Sequence, residues 1–378
     1  MRTYVTHIKS ILLSVSIVCI GLGQTAKAQT FPTPNKIVIL ILENHAAEQI
    51  IGSSAAPHIN ALSLDSNAAW FTSAHGIEHP SQPNYLDLFS GCNQGVTDDN
   101  VPTNIPFTTD NLGRQLLDSG KTFLTFSEDL PSIGYNGKSS GNYARKHNPA
   151  ANWMGTGTNQ IPTTTNQPLS AFSSDYSLLP TVSLVIPNQN NDMHNGTNPT
   201  TITTGDAWFY SKMSAYMDWT KTHNSLFILT FDEDNDSNNN HIVTIFYGPM
   251  VKHGQYTESI NHYNVLRTLE DMFGLRKACN AATATPITNC WKTSNVGLNE
   301  LKENNEDFTI YPNPNNGKFI LQFSNATKNE ISIFNVVGEK IGSINMHQTI
   351  QEIDLSHLEK GMYYLMGENG FGKKIVIN

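Results

Sequence analysis

Hydrophobic and polar positions fall into two regimes along the chain. Over residues 29–296, apolar runs alternate with stretches of helical period. Lys36–Leu42 is a continuous apolar run, the pattern of a strand covered on both faces in a parallel sheet. Residues 111–118 have helical spacing and stop at Gly120, after which 121–126 reads as a strand. Residues 181–186 form another strand, closed by Pro187, and 206–222 has helical period with Trp208, Met213 and Trp219. Two more strands, 226–231 and His241–Tyr247, are followed by a helix at 263–273 that carries Val265, Leu266, Leu269 and Met272. The Thr/Asn/Pro-rich segment 160–171 is a predicted loop. Such alternation predicts an α/β fold, an α/β/α sandwich around a mostly parallel sheet.

From Phe308 the period changes to two. Short strands recur at Lys318–Phe323, Glu330–Phe334, 361–365 and 374–377, separated by turn residues, which predicts a small all-β sandwich. The polar stretch 295–307 reads as a linker. At the other end, Arg2 and Lys9 precede an apolar run, 11–23, and then Ala26-Lys27-Ala28, in the order of an export signal cleaved before Gln29. That run is shorter than the roughly 20 residues a spanning helix needs. The expected organisation is therefore 1–28 signal peptide, 29–294 main α/β domain, 295–307 linker and 308–378 C-terminal β-sandwich.

Composition sharpens this picture. Of 378 residues only 15% are charged, well below an average globular protein, while 38% are hydrophobic, enough for a buried core. The formal net charge is −9; loss of the signal removes three of 23 basic and none of 32 acidic residues, leaving about −12. That balance points away from nucleic acid and anionic membranes as partners. No other segment is long and apolar enough to cross a membrane, so the mature chain is expected to be exported without a transmembrane segment. Cys19 leaves with the signal. Cys279 and Cys290 bracket a short loop and are expected to pair in an exported protein, leaving Cys92 as a small buried residue.

The chemistry-bearing residues cluster at strand ends. The strand Lys36–Leu42 runs into Glu43, Asn44 and His45; 226–231 runs into Asp232, Glu233 and Asp234; 181–186 is soon followed by Asn188, Asp192 and His194. Ligand sites in open α/β sheets lie beyond the carboxyl ends of the strands. Carboxylates, an amide and an imidazole at one edge suit a divalent cation, with Ca, Zn and Mg all open. The string from Asp232 to Ser237 also invites an EF-hand reading, but Ser237 replaces the loop glycine and Val243 stands where a bidentate Glu belongs. The second feature is HPSQPNY at 79–85. Ser81 between two prolines opens a predicted helix, whose N–H groups and dipole favour an anion, and Asn84 lies one turn on. Ser81 as a nucleophile toward phosphorus and Ser81 as a plain helix cap are both consistent with this spacing.

These residues resemble a family. ILILENH (39–45), HPSQPNY (79–85), NDMH (191–194), GDAW (205–208), LTFDED (229–234), YGP (247–249) and HYNVLRTLED (262–271) are similar to the bacterial phosphoesterase family that groups acid phosphatases with phospholipases C, in the alkaline-phosphatase-like superfamily. The tail, with YPNPNNG (311–317), IFNVVG (333–338), IDL (353–355) and GMYYL (361–365), resembles the type A sorting domain of the type IX secretion system. The first resemblance implies Glu43, Asn44, Asp232 and Glu233 as metal ligands with Ser81 as nucleophile on the metal, Asn84 holding a phosphate oxygen, and Asp192, His194 and His262 near the substrate phosphate or a second metal. His241 and His147, the latter in YARKHNP (143–149), stand as further candidates. The implied reaction is metal-dependent hydrolysis of phosphate mono- or diesters through a phosphoserine, with His194 protonating the leaving group. Phospholipase C action on lipid head groups and a non-catalytic Ca-binding surface protein are the alternatives. The tail implies the type IX secretion machinery as partner, and a secreted or cell-surface location.

Overall fold

A computed structural model describes residues 31–292, 308–323, 330–336, 338–367 and 372–378; the predicted signal and linker lie outside them. The chain divides into two compact units after Lys292. In order, the first contains β1 (Lys36–Leu42), α1 (Ala47–Ile50), α2 (Pro57–Ser63), β2 (Ala68–His75), α3 (Ser81–Ser90), α4 (Leu112–Asp118), β3 (Phe123–Ser127), the hairpin strands β4 (Ser139–Ser140) and β5 (Tyr143–Ala144), β6 (Asn166–Pro168), β7 (Val182–Ile186), α5 (Thr200–Thr220), β8 (Ser225–Phe231), β9 (His241–Tyr247), β10 (Gly254–Tyr256), β11 (Ile260–Asn261) and α6 (His262–Met272).

One nine-stranded sheet runs β10-β2-β9-β8-β1-β7-β3-β6, with β11 also on β2. Within it β9 alone runs against its neighbours, β2 and β8; the other described pairs are parallel. The continuous apolar runs account for this. Every residue of β7 and β8, and all of β1 after Lys36, is buried, as central parallel strands require. β1 lies between β7 and β8 with Leu42 level with Phe231, so the chain leaves both strands at the same height, with Glu43 beside Asp232.

Two boundaries differ from the sequence reading. α5 begins at Thr200 because its first turn is anchored by polar rather than apolar contacts: Thr201 donates to the carbonyls of Met193 (2.9 Å) and Asn195 (3.0 Å). The predicted loop 160–171 contains the short edge strand β6, which ends at Pro168.

The cysteine pairing is corrected. Cys92 is bonded to Cys279, and Cys290 is a buried free thiol. The turn at Cys279–Ala282 packs against the end of α3, where the Asn280 N–H donates to the Gly91 carbonyl (3.1 Å). Cys290 is held elsewhere, its carbonyl accepting from the Lys252 N–H (2.7 Å). Closeness in sequence was the wrong guide, because the 279–290 loop departs from α3 while its first residue stays.

The second unit is all β. β12 (Phe308–Tyr311), β13 (Lys318–Phe323) and β16 (Ile350–Asp354) form one antiparallel sheet; β14 (Glu330–Phe334), β15 (Lys340–Asn345), β17 (Gly361–Gly367) and β18 (Gly372–Ile377) form the other. Their inward residues, among them Phe319, Leu321, Ile331, Leu365 and Ile375, make a separate core.

Candidate active site

The site is built where β1 and β8 end. The Asp232 N–H donates to the Leu42 carbonyl (3.0 Å) and the Glu43 N–H to the Asp192 carbonyl (2.8 Å), so three exit loops are tied together by backbone. Asn44 turns the chain at φ 26°, a left-handed conformation uncommon outside glycine, and its N–H donates to Asp232 Oδ1 (2.9 Å). Ser81, the first residue of α3, is buried at 2% exposure, and its hydroxyl lies 3.0 Å from Oε2 of Glu43 and 3.0 Å from Oε1 of Glu233. Pro80 is the helix cap, so the Ser81 hydroxyl is not spent on capping. Glu43 is also held by the Tyr85 hydroxyl, one turn along α3, and Glu233 by Nδ1 of His79. An open cleft of about 460 Å³ lies beside them, reaching Glu233 and His79 and bordered also by Asn44, Pro80, His194 and Asp234.

A second wall comes from the turn at Arg145–His147. His147 sits between two carboxylates, Nε2 3.2 Å from Glu43 Oε2 and Nδ1 3.2 Å from Asp192 Oδ2, and its ring stacks on Tyr85. Lys146 donates to Asp99 Oδ2 (2.8 Å) and approaches Nε2 of His194 (3.1 Å). An ammonium has no acceptor, so His194 Nε2 accepts and Nδ1–H faces Asn195 Oδ1 (3.1 Å). Tyr85, Lys146 and His79 lie inside motifs legible in the sequence, yet spacing gave them no role; only the fold brings them to Glu43, His194 and Glu233 respectively.

Electrostatics mark this cluster as unbalanced. Burial, then the charge of Asp192, pushes Glu43 up to about 8; burial, then Asp232, pushes Glu233 up to about 7. Asp192 and Asp232 stand well above the usual carboxylate range, burial being the main cause in both. Burial drives His147 well below and His194 below their ordinary value, with Lys146 adding to each. For Lys146, burial is outweighed by Asp99 and Glu43, which hold the ammonium up. Asp232 Oδ2 is buried with no hydrogen-bond partner, and Asp192 Oδ2 and His147 Nε2 have only the 3.2 Å ion-pair contacts given above. Hard oxygen donors, an imidazole and an unpaired buried acceptor fit a divalent cation. Glu43, His147 and His194 each offer a ligand atom within 4.8 Å of the others.

Three residues expected near the substrate make other contacts in this fold. Asn84 points away from the cleft: its Oδ1 accepts from the N–H groups of Ile77 (2.8 Å) and Glu78 (3.0 Å), and its Nδ2 donates to the Glu78 carbonyl (2.7 Å), so it shapes the loop before Ser81. His262, at the start of α6, is 1% exposed and bonds through Nε2 to the Asp232 carbonyl (2.6 Å); burial lowers it to about 4, and it positions Asp232 rather than facing substrate. His194 borders the cleft but is a neutral acceptor at Nε2, which leaves it no proton there for a leaving group. His241 lies apart from Ser81, bonded to Glu48 Oε1 (2.7 Å) and the Thr72 carbonyl (3.1 Å). Asp234 accepts from the N–H groups of Asp236 (2.7 Å) and Asn238 (2.7 Å), which makes that segment a hydrogen-bonded turn instead of an EF-hand loop.

Residues 59–276 match the Phosphoesterase family, and the phosphatidylinositol-3-phosphatase of Mycobacterium tuberculosis is 47% identical over 269 residues, 70% of this chain and 85% of that protein. The chain belongs to the Phosphoesterase family. It is a hydrolase of phosphoric ester bonds. The acid phosphatase of Aspergillus fumigatus is 28% identical across 71% of this chain and 62% of its own length. A solved protein of the alkaline phosphatase superfamily from Vibrio parahaemolyticus overlays with a TM-score of 0.48 at 12% identity, covering 93% of this chain and 85% of that one. Residues 309–378 match the secretion system C-terminal sorting domain, which marks this phosphoesterase for export to the cell surface or beyond. Among the described residues no helix is long and apolar enough to cross a membrane.

Proposed function

We propose that this phosphoesterase is a metal-dependent phosphatase that acts on phosphate esters through a Ser81 phosphoserine. The observation that carries this reading is the buried Ser81 hydroxyl between the carboxylates of Glu43 and Glu233, each 3.0 Å away, with Glu233 itself on the wall of the cleft. A hydroxyl spent on capping or on backbone would not take that position.

The cation is assigned to Glu43, Asn44, Asp232 and Glu233, beside Ser81. His194 is already engaged on both ring nitrogens, by Lys146 and Asn195, which favours the Asp232 side for the ion. Bound there, a divalent cation offsets the carboxylate charge and lowers the pKa of the serine hydroxyl. The chain's own groups do the rest. Ser81 gives its proton to Glu233, whose Oε1 lies 3.0 Å from the hydroxyl. His79, on the other oxygen of Glu233, steadies that carboxyl. Ser81 attacks phosphorus as the bond to the ester oxygen breaks, the proton held by Glu233 passes to the departing oxygen, and water then hydrolyses the phosphoserine. Asn84 and the loop 77–80 fix where Ser81 stands.

The names of the relatives, a phosphoinositide 3-phosphatase and acid phosphatases, support monoesters as the substrate class. A panel of p-nitrophenyl phosphate, phosphatidylinositol 3-phosphate and phosphatidylcholine, run with and without chelator, tests the reading. Chelator-sensitive release of phosphate from the monoesters is expected. Release of phosphocholine from phosphatidylcholine alone would favour the phospholipase alternative.

A further inference from the structure

The groups that sequence spacing offers to a phosphate are spent inside the protein. Both ends of the Asn84 amide hold the loop 77–80. At the N-terminus of α3 the Gln82 N–H donates to Asp99 Oδ1 (3.0 Å), and Pro83 has no N–H to give. What remains around Ser81 is acidic: Glu43, Asp192, Asp232 and Glu233 are all buried. Phosphate oxygens entering such a site need a fixed positive charge besides a cation shared among four carboxylates.

Among the described residues, Lys146 is the one Lys or Arg side chain in contact with a group of this site. Its position is built. Arg145, 1% exposed, clamps the turn through Asn136 Oδ1 (3.0 Å), Asn152 Oδ1 (2.7 Å) and the Ala151 carbonyl (3.0 Å). The ammonium of the next residue is then held by Asp99 Oδ2 at 2.8 Å and by His194 Nε2 at 3.1 Å. Asp99 thus ties Lys146 to the helix that carries Ser81. Two of the three N–H donors are used by these partners, and no third partner occurs among the described residues. The Lys146 side chain keeps 16% of its surface open, beside the His194 that borders the cleft.

We propose that Lys146 binds the non-bridging oxygens of the substrate phosphate and that its charge selects dianionic monoesters over monoanionic diesters. The inference rests on the phosphatase reading above. A monoester brings one more negative charge than a diester into a carboxylate-lined, poorly solvated site, so an added cation matters most for the monoester.

The test compares wild type, Lys146→Gln and Lys146→Arg on p-nitrophenyl phosphate, on bis(p-nitrophenyl) phosphate, and for competitive inhibition by inorganic phosphate, with metal content read alongside. Lys146→Gln should lose about 100-fold or more in kcat/KM on the monoester and stay within about threefold on the diester. Its Ki for inorganic phosphate should rise in parallel, its metal content should hold, and Lys146→Arg should recover part of the loss. Equal losses on both esters, or an unchanged phosphate Ki, would overturn the proposal. Should Lys146→Gln fail to fold, acylation of the wild-type protein decides: inorganic phosphate should shield Lys146 from acetic anhydride, and equal labelling with and without phosphate overturns it. A wild type inactive on every ester sinks the phosphatase reading itself, whereas an active wild type with an indifferent Lys146 sinks only this inference.

Discussion

At the residue scale, Ser81 separates chemistry from packing. On the proposed mechanism, replacing it by Ala removes the attacking oxygen, and it leaves Glu43 and Glu233 each short of one hydrogen bond. The stability loss should be about 1 kcal/mol, while turnover should fall about a thousandfold or more. Mass spectrometry of acid-quenched wild-type enzyme should find phosphate on Ser81, and a Ser81→Ala protein of near wild-type rate would exclude the covalent route. The surrounding carboxylates give a pH prediction of fixed sign. Glu43 and Glu233 have an ordinary value of 4.5 and are raised to about 8 and about 7 in the fold. Groups raised on folding bind more protons in the native state, so their contribution is complete below about 4.5 and is lost as pH climbs through 7 and 8. Metal-stripped protein should therefore melt at progressively lower temperature from pH 5 to pH 8.5. Added divalent ion should restore the most stability at the alkaline end, where the carboxylates are ionised and ready to bind it. A flat or rising melting curve for the stripped protein would mean that these carboxylates are neutralised by something other than protons.

At the element scale, α3 and α6 act as a pair. α3 starts with Ser81 and α6 with His262, which supports Asp232. The Tyr263 hydroxyl donates to Asp87 Oδ1 (3.0 Å) between them, and the Cys92–Cys279 bond closes the far end. Gly91 makes that closure possible: its φ is 71°, and an added Cβ would strike the Ala278 carbonyl. Cys92→Ser should cost about 2–4 kcal/mol of stability, read as a lower denaturation midpoint that reductant reproduces in the wild type. An unchanged midpoint would show that helix packing alone holds the pair. Elements of this kind were unevenly legible in the sequence. β1, β7 and β8 stood out because strands buried on both faces are written as unbroken apolar runs, and the acids at their ends marked the site. β2, read from Ala68 to His75, mixes alanines with polar residues and has no such run, so its place beside β9 depends on partners far along the chain. The same distance hid the disulfide, the inward turn of Asn84, and the approach of His147 to Glu43 and Asp192 and of Lys146 to His194, on the turn clamped by Arg145. The GDAW motif carried structure, not chemistry: Asp206 accepts from the N–H groups of His58 (3.1 Å) and Ile59 (2.8 Å) at the start of α2, and Trp208 donates to Glu128 Oε1 (3.0 Å).

At the scale of the whole molecule, two separate cores divide the work. The first core draws on residues from Phe31 to Trp291, the span of chain that also carries every group placed near Ser81, and the second core draws only on residues from Phe308 onward. The sorting domain pins its own ends: Asn313 Oδ1 accepts from the Val376 N–H (2.9 Å), and the Asn315 carbonyl accepts from the Asn378 N–H (2.8 Å), so the YPNPNNG motif is bound to the last strand of its own unit. Gly317 sits at φ 92°, where an added Cβ would lie 2.5 Å from Ser356 Cα, and so belongs to the same closure. Neither core needs residues of the other for its hydrophobic contacts, and this sets the last prediction. A chain ended after residue 301 should fold, bind metal and hydrolyse p-nitrophenyl phosphate with kcat and KM within about twofold of the full chain, as expected for sites with no shared partners. Its export should fail, because the sorting signal is gone. Gly317→Ala in the full chain should produce the milder version, with the β-sandwich loosened, secretion reduced and catalysis intact. A shortened chain that expresses as aggregate, or that folds without activity, would mean the tail contributes to the catalytic unit as well as to its export.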